Sequence, residues 1–222
     1  MAVNALIFDF DGLILDTESP LFESWREAYA THGVELTLEE WSVTIGAADH
    51  FDPLEQLARR CDRPLDVEAV QRSRRRRRDE LLAGLSPCPG VLEYLLEARS
   101  LGLAVAVASS SPRAWVEGHL DRVGLSESFV HLSCFEGIGE SKPAPDLYLA
   151  ALEALGIGPE EAVAFEDSRN GLMAAKAAGL RCVVVPTPMT NHLDFAGADL
   201  VLHSLAQMPL GDLLAALEEP WR

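Results

Sequence analysis

The sequence predicts an α/β protein: a mostly parallel sheet with helices on both faces and an all-helical lobe inserted after the first strand. Three observations predict it. Short apolar runs of strand length alternate with amphipathic helical segments along most of the chain. That alternation breaks once, between the first two strands, where residues 19–86 carry helical patterns only. The chain has 222 residues and is 48% hydrophobic, enough to bury a full core without disulfides or a structural metal.

The first strand-like run is 3–8, and the later ones are 103–107, 129–132, 162–165 and 181–185. Helical patterns fall between them at 115–123, 146–155 and 171–178, with Gly156 and Gly179 placed as stops. Pro145 suits a first helical turn, where a missing N–H costs little. Strands separated by helices imply right-handed crossovers and a parallel sheet. The lobe holds helical segments at 21–31, 38–41, 54–60 and 67–82, far more than an ordinary connection needs. It returns through the stiff stretch Ser86-Pro87-Cys88-Pro89-Gly90. The expected organisation is a core of residues 1–16 and 87–222 with a lobe of 17–86.

Charge and cysteine usage narrow the function. Asp plus Glu number 35 against 18 Lys plus Arg, a formal charge of −17, which argues against nucleic-acid and anionic-membrane partners. The four cysteines form no close pair, so free thiols are expected. The apolar N-terminus has no basic leader, carries Asp9 and Asp11 and is too short to span a bilayer, so a cytoplasmic protein is expected. Six arginines in the seven residues from Arg72 to Arg78 surround a helix on every side. They read as a solvated face, with one arginine left as a candidate for a substrate phosphate.

The chemistry concentrates at predicted strand ends. Asp9-Phe10-Asp11-Gly12 closes the first strand, and side chains at i and i+2 of an extended chain share a face. Gly12 permits a turn closed to other residues. Ser109, Ser110 and Ser111 follow the second strand and offer hydroxyls and N–H groups to an anion, or cap the next helix. Lys142 stands between rigid segments in Ser141-Lys142-Pro143-Ala144-Pro145. Glu166, Asp167 and Ser168 follow the fourth strand, where Asp167 or Ser168 also suits a helix cap. Carboxylates converging on one edge repel unless a divalent cation lies between them, and all-oxygen ligation selects Mg²⁺. This points to Mg²⁺-dependent phosphoryl transfer with a carboxylate nucleophile.

Four ordered motifs, DFDGLILDTE, the serine run after VAVA, SKPAPD and FEDSRNG, span residues 9–171. Together with the helical insertion they resemble the haloacid dehalogenase superfamily, in the branch that holds β-phosphoglucomutase and small sugar-phosphate phosphatases. The resemblance implies a Rossmann-like core and a cap that excludes water and selects substrate. It implies that Asp9 attacks phosphorus and that Asp11 protonates the leaving oxygen, then deprotonates the hydrolytic water. Ser109 and Lys142 hold the transferring oxygens. Mg²⁺ sits on the Asp9 carboxylate, the Asp11 backbone carbonyl and Asp167, with Glu166 as a direct or water-mediated partner. Gly12, Thr17, Glu18, Ser110 and Ser111 are expected to face substrate, with Asp16-Thr17-Glu18 at the cap hinge.

Departures within the family sharpen the expectation. Dehalogenases dispense with the acid/base aspartate that this chain retains, and the cap lysine of phosphonate cleavage is absent from residues 19–86. Mutases of the β-phosphoglucomutase type carry a cap histidine, a cap arginine and a core-loop lysine. Here Leu21, Asp49 and Pro112 stand near those positions, with Arg76 or Arg77 as a stand-in for a further cap lysine. The favoured expectation is a monomeric phosphatase acting on a small phosphate ester such as a sugar phosphate. The alternatives are a sugar-phosphate mutase and, from another class, a non-catalytic phosphate-responsive binding protein. Trp25, Trp41, His50 and Phe51 are candidates for the cap's substrate face, the tryptophans being expected in its core.

Overall fold

Alternate residues of the central strands part to opposite faces, and the two faces differ in bulk. Leu6, Phe8, Val105, Val107, Val163 and Phe165 point into one apolar cluster, while Ala5, Ile7, Ala108, Ala162 and Ala164 point into the other. The computed structural model describes residues 3–42, 52–136 and 138–218. Among them the strands are β1 (Ala5–Phe8), β2 (Ala104–Ser109), β3 (His131–Cys134), β4 (Ala162–Glu166), β5 (Arg181–Val184) and β6 (Leu200–Val201). They form one sheet in the order β3-β2-β1-β4-β5-β6, with each neighbouring pair parallel. Chain direction along the sheet reverses about β1, the position where open α/β sheets place ligands beyond the strands' carboxyl ends.

Helices α5 (Val91–Leu101), α6 (Arg113–Val123) and α9 (Leu210–Glu218) cover the bulky face, and α7 (Asp146–Leu155) and α8 (Arg169–Ala177) the alanine-rich one. Small strand residues let α7 and α8 come close. Gly156 ends α7 with φ 68°, as its place in the sequence predicts. The strand expected at 129–132 runs two residues later, because a single helical turn at Ser126–Ser128 first brings Phe129 into the core. Sequence periodicity does not mark α5, since Leu92 and Leu96 are exposed while Val91 and Leu95 are buried, which blurs its stripe. The two residues of β6 are too few to show any period.

Between β1 and α5 lie α1 (Glu18–Thr31), α2 (Leu38–Ser42), α3 (Pro53–Arg60) and α4 (Val67–Ala83). They enclose a third apolar cluster of Trp25, Tyr29, Leu36, Trp41, Leu57 and Val70. Both tryptophans are therefore core, at 9% and 6% exposure, and offer no platform to a substrate. The arginine run lies on α4 as a solvated face. Arg72 pairs with Glu68, Arg76 with Glu80, Arg77 with Glu27 and Arg78 with Asp79. Arg74 lies over the Trp25 ring, 4.8 Å from its centroid. Asp49, His50 and Phe51 fall outside the described residues. No helix among the described residues is long and apolar enough to cross a membrane, and the four cysteines are free.

Candidate active site

β1 ends at Phe8, and Asp9 continues its line by donating its N–H to the Phe165 carbonyl at 2.9 Å. Its carboxylate therefore emerges beside the end of β4, which Glu166 closes and Asp167 follows. Asp9, Glu166 and Asp167 are 7%, 0% and 2% exposed, and each offers an oxygen within 4.8 Å of the others. Lys142 reaches into this group. Its Nζ lies 2.5 Å from Asp9 Oδ1 and 2.6 Å from Glu166 Oε1. Tyr148, on α7, donates its hydroxyl to Glu166 Oε1 at 2.6 Å, and Ser168 donates to Oε2 at 3.3 Å. Glu166 thus has its oxygens engaged by protein donors and chiefly fixes Lys142.

Electrostatics express the crowding. Burial pushes the Asp9 carboxyl up to about 8; Lys142 opposes the rise, while Glu166 and Asp11 add to it. Asp167 is held well above the carboxylate range, first by burial and then by Asp9, Glu166 and Glu18. Burial works against the Lys142 ammonium too, yet Asp9 and Glu166 outweigh it and hold its pKa above the ordinary lysine value. Asp167 Oδ2 is buried and has no hydrogen-bond partner among the described residues. An orphaned carboxylate oxygen, in an all-oxygen group short of positive charge, is what a hard divalent cation would complete. The residues fit Mg²⁺.

Two glycines make the approach possible. Gly12 has φ +87°, and a Cβ there would collide with the Asp167 carboxylate. Its N–H donates to the Leu15 carbonyl at 2.7 Å, so Gly12 shapes the turn and its amide is already used. A Cβ on Gly171 would collide with the Glu166 carboxylate, over which the first turn of α8 passes.

The Asp11 carboxylate is not part of that acidic group. Its Oδ1 accepts from Thr17 Oγ1 at 2.6 Å and Trp115 Nε1 at 2.9 Å, and its Oδ2 from Ser111 Oγ at 2.6 Å. Thr17 is the N-cap residue of α1 yet makes no side-chain cap bond, its hydroxyl being spent on Asp11. Asp16 caps instead, accepting from Ser19 N at 3.0 Å. Ser109 Oγ accepts from Ser111 N at 3.0 Å and stands 3.5 Å from Asp11 Oδ2. That second contact is too long to hold the hydroxyl, which keeps its proton for another acceptor. Ser110 Oγ is buried without a partner among the described residues. Glu18 opens α1, where burial, then Asp11 and Asp16, push its carboxyl up to about 7.

The geometry thus brings Asp9, Lys142, Glu166 and Asp167 into one group and Asp11, Thr17, Ser109 and Ser111 into an adjoining one. Ser168 serves both readings made of it, capping α8 through Gly171 N at 3.1 Å while touching Glu166. Trp115 and Tyr148 are the site residues that the sequence reading missed. Each lies inside a helical pattern, and nothing local ties an aromatic residue there to a carboxylate far along the chain.

A parallel sheet with a paired-acid strand end, a buried lysine and a second acidic strand end defines a class, and the comparisons agree. The family model for haloacid dehalogenase-like hydrolases matches residues 3–179, so the chain belongs to that family. It is 44% identical over 212 residues to the putative phosphatase YhcW of Bacillus subtilis, covering 96% of each chain. Hexitol phosphatase B of Escherichia coli is 35% identical, over 96% of this chain and 97% of that protein. Among solved structures, a mutant CbbY from Rhodobacter sphaeroides in complex with xylulose-(1,5)bisphosphate superposes with TM-score 0.76 at 32% identity, covering 98% of this chain and 100% of that one.

Proposed function

We propose that this hydrolase is a Mg²⁺-dependent phosphatase that cleaves a small phosphate monoester, a sugar phosphate, through an aspartyl-phosphate on Asp9. The observation that carries the reading is the buried Asp9 carboxylate, held on one oxygen by Lys142 beside the unpartnered oxygen of Asp167. Asp9, Asp167 and the Asp11 carbonyl would hold Mg²⁺, with Glu166 close by. When bound, the ion neutralises carboxylate charge and polarises the phosphoryl group. Asp9, held on one oxygen by Lys142, attacks phosphorus with the other. Lys142 has three donors, two of them on Asp9 and Glu166, which leaves one for a phosphoryl oxygen. Ser109, with its proton uncommitted, takes another. Asp11 protonates the departing oxygen and then accepts the proton of the attacking water. The helical lobe of residues 17–86 acts as the cap, and its entry at Thr17 touches Asp11 directly.

Sugar phosphates are favoured because relatives similar over nearly the whole chain are named for hexitol phosphate hydrolysis or bind a ketose bisphosphate. Hydrolysis is preferred to transfer because Leu21 packs on the lobe's apolar cluster and Pro112 heads α6, so neither offers a charged grip on a second sugar phosphate. The test is phosphate release from a panel of sugar phosphates, with Mg²⁺ and with EDTA, following glucose 6-phosphate formed from β-glucose 1-phosphate alongside. Metal-dependent release that Asp9→Asn reduces to the assay floor is expected. Isomerisation without release would replace this reading by the mutase one, and no turnover of any ester would favour the binding protein.

A further inference from the structure

Asp11 is gripped unequally on its two oxygens. Oδ1 takes two close donors, the Thr17 hydroxyl at 2.6 Å and the Trp115 indole N–H at 2.9 Å, whereas Oδ2 takes the Ser111 hydroxyl at 2.6 Å and only a long contact from the Ser109 hydroxyl at 3.5 Å. These donors differ in kind. A hydroxyl can turn and accept, but an indole nitrogen only donates. Trp115 therefore demands a bare acceptor at Oδ1. Ser111 can either donate to Oδ2 or, by rotating, accept a proton carried there. The indole is itself braced: Trp115 sits in the first turn of α6, and the His119 ring, one turn on, meets it edge-on at 4.3 Å between centroids.

We infer that Trp115 is a positioning residue which keeps Oδ1 of Asp11 as an acceptor and makes Oδ2 the oxygen that exchanges a proton with the reacting groups. The inference rests on the phosphatase reading and deepens it. In the first half-reaction a bond forms from the Asp9 carboxylate to phosphorus, the ester P–O bond breaks, and the leaving oxygen takes the proton from Oδ2. In the second, water bonds to phosphorus, the Asp9–phosphorus bond breaks, and a water proton returns to Oδ2. Nothing beyond substrate and water is consumed.

The test uses Trp115→Phe, which keeps a ring in place and deletes the N–H. Two aryl phosphates of similar size serve as probes. Phenyl phosphate has a leaving group that needs protonation, and p-nitrophenyl phosphate has one that departs as an anion. Since kcat/KM reports steps up to phosphorylation of Asp9, the variant should lose roughly tenfold more kcat/KM on phenyl phosphate than on p-nitrophenyl phosphate, as befits one hydrogen bond to a charged group. In an Asp11→Ala background the same substitution should add nothing. Equal losses on both esters, or a further loss in the Asp11→Ala background, would mean that Trp115 acts only in packing and would overturn the inference. If the wild-type protein releases phosphate with Mg²⁺ from neither aryl ester nor any sugar phosphate of the panel, the phosphatase reading fails instead, which is a different result.

Discussion

Lys142 is the residue on which the site's charge balance turns. Two buried carboxylates share its ammonium, with Nζ–O separations of 2.5 and 2.6 Å at 4% side-chain exposure. Such a pair adds little over an apolar replacement of the whole group, but removing one partner leaves charge uncompensated. Lys142→Met should therefore destabilise the metal-free protein by about 3–5 kcal/mol, measured by urea unfolding in EDTA. Turnover should vanish along with it. A variant as stable as the wild type would mean that Asp9 and Glu166 do not depend on this ammonium. Asp9→Asn differs in kind, since it removes the proposed nucleophile without stranding a charge, and its effect belongs to turnover.

At the scale of elements, α8 is positioned by what it does not carry. Its residue Gly171 passes so near Glu166 that any Cβ would strike the carboxylate. Gly171→Ala should cost about 1–3 kcal/mol as an overpacked position and should lower kcat by displacing Glu166 and hence Lys142. The control is Gly118→Ala in α6, where nothing lies within 4 Å of a new Cβ. That substitution should stabilise by up to about 1 kcal/mol through helix propensity alone. Urea unfolding and phosphate release on both variants check the pair, and equal effects would remove the special role of Gly171. The entry to α1 shows the same economy: Thr17 relinquishes its cap to Asp16 and holds Asp11, so the first lobe helix begins on a hydrogen bond to the Asp11 carboxylate.

For the whole molecule, the buried acidic group links protonation to stability, and the proposed Mg²⁺ adds a third partner. Asp9, raised from an ordinary 3.8 to about 8, carries a proton in the folded state over a range where the unfolded chain has lost it. The fold binds more protons there, so the stability of the metal-free protein falls as pH rises from about 4 to about 8. The proposed divalent cation would replace that proton and compete with it at lower pH. Adding Mg²⁺ should therefore raise Tm, and more at pH 8 than at pH 6, in thermal unfolding followed by circular dichroism. An increment independent of pH, or none, would argue against Mg²⁺ on Asp9 and Asp167.

Much of this was legible in the chain because it is local. Short apolar runs at residues 3–8 and 162–165 report strands, a pair of acids two residues apart reports a shared face, and Gly156 after an apolar helix reports its end. Backbone geometry ties each of these to near neighbours in sequence, so the parallel sheet, the helical insertion and the placing of Asp9 and Asp167 at strand ends follow from pattern. Contacts between distant segments do not. Trp115 meets Asp11 across 104 residues, Tyr148 meets Glu166 from a neighbouring helix, and β6 exists only because β5 offers it an edge. Those were decided by how helices settle on the sheet, since side chains far apart in sequence acquire their distances from packing, and packing is a property of the assembled core.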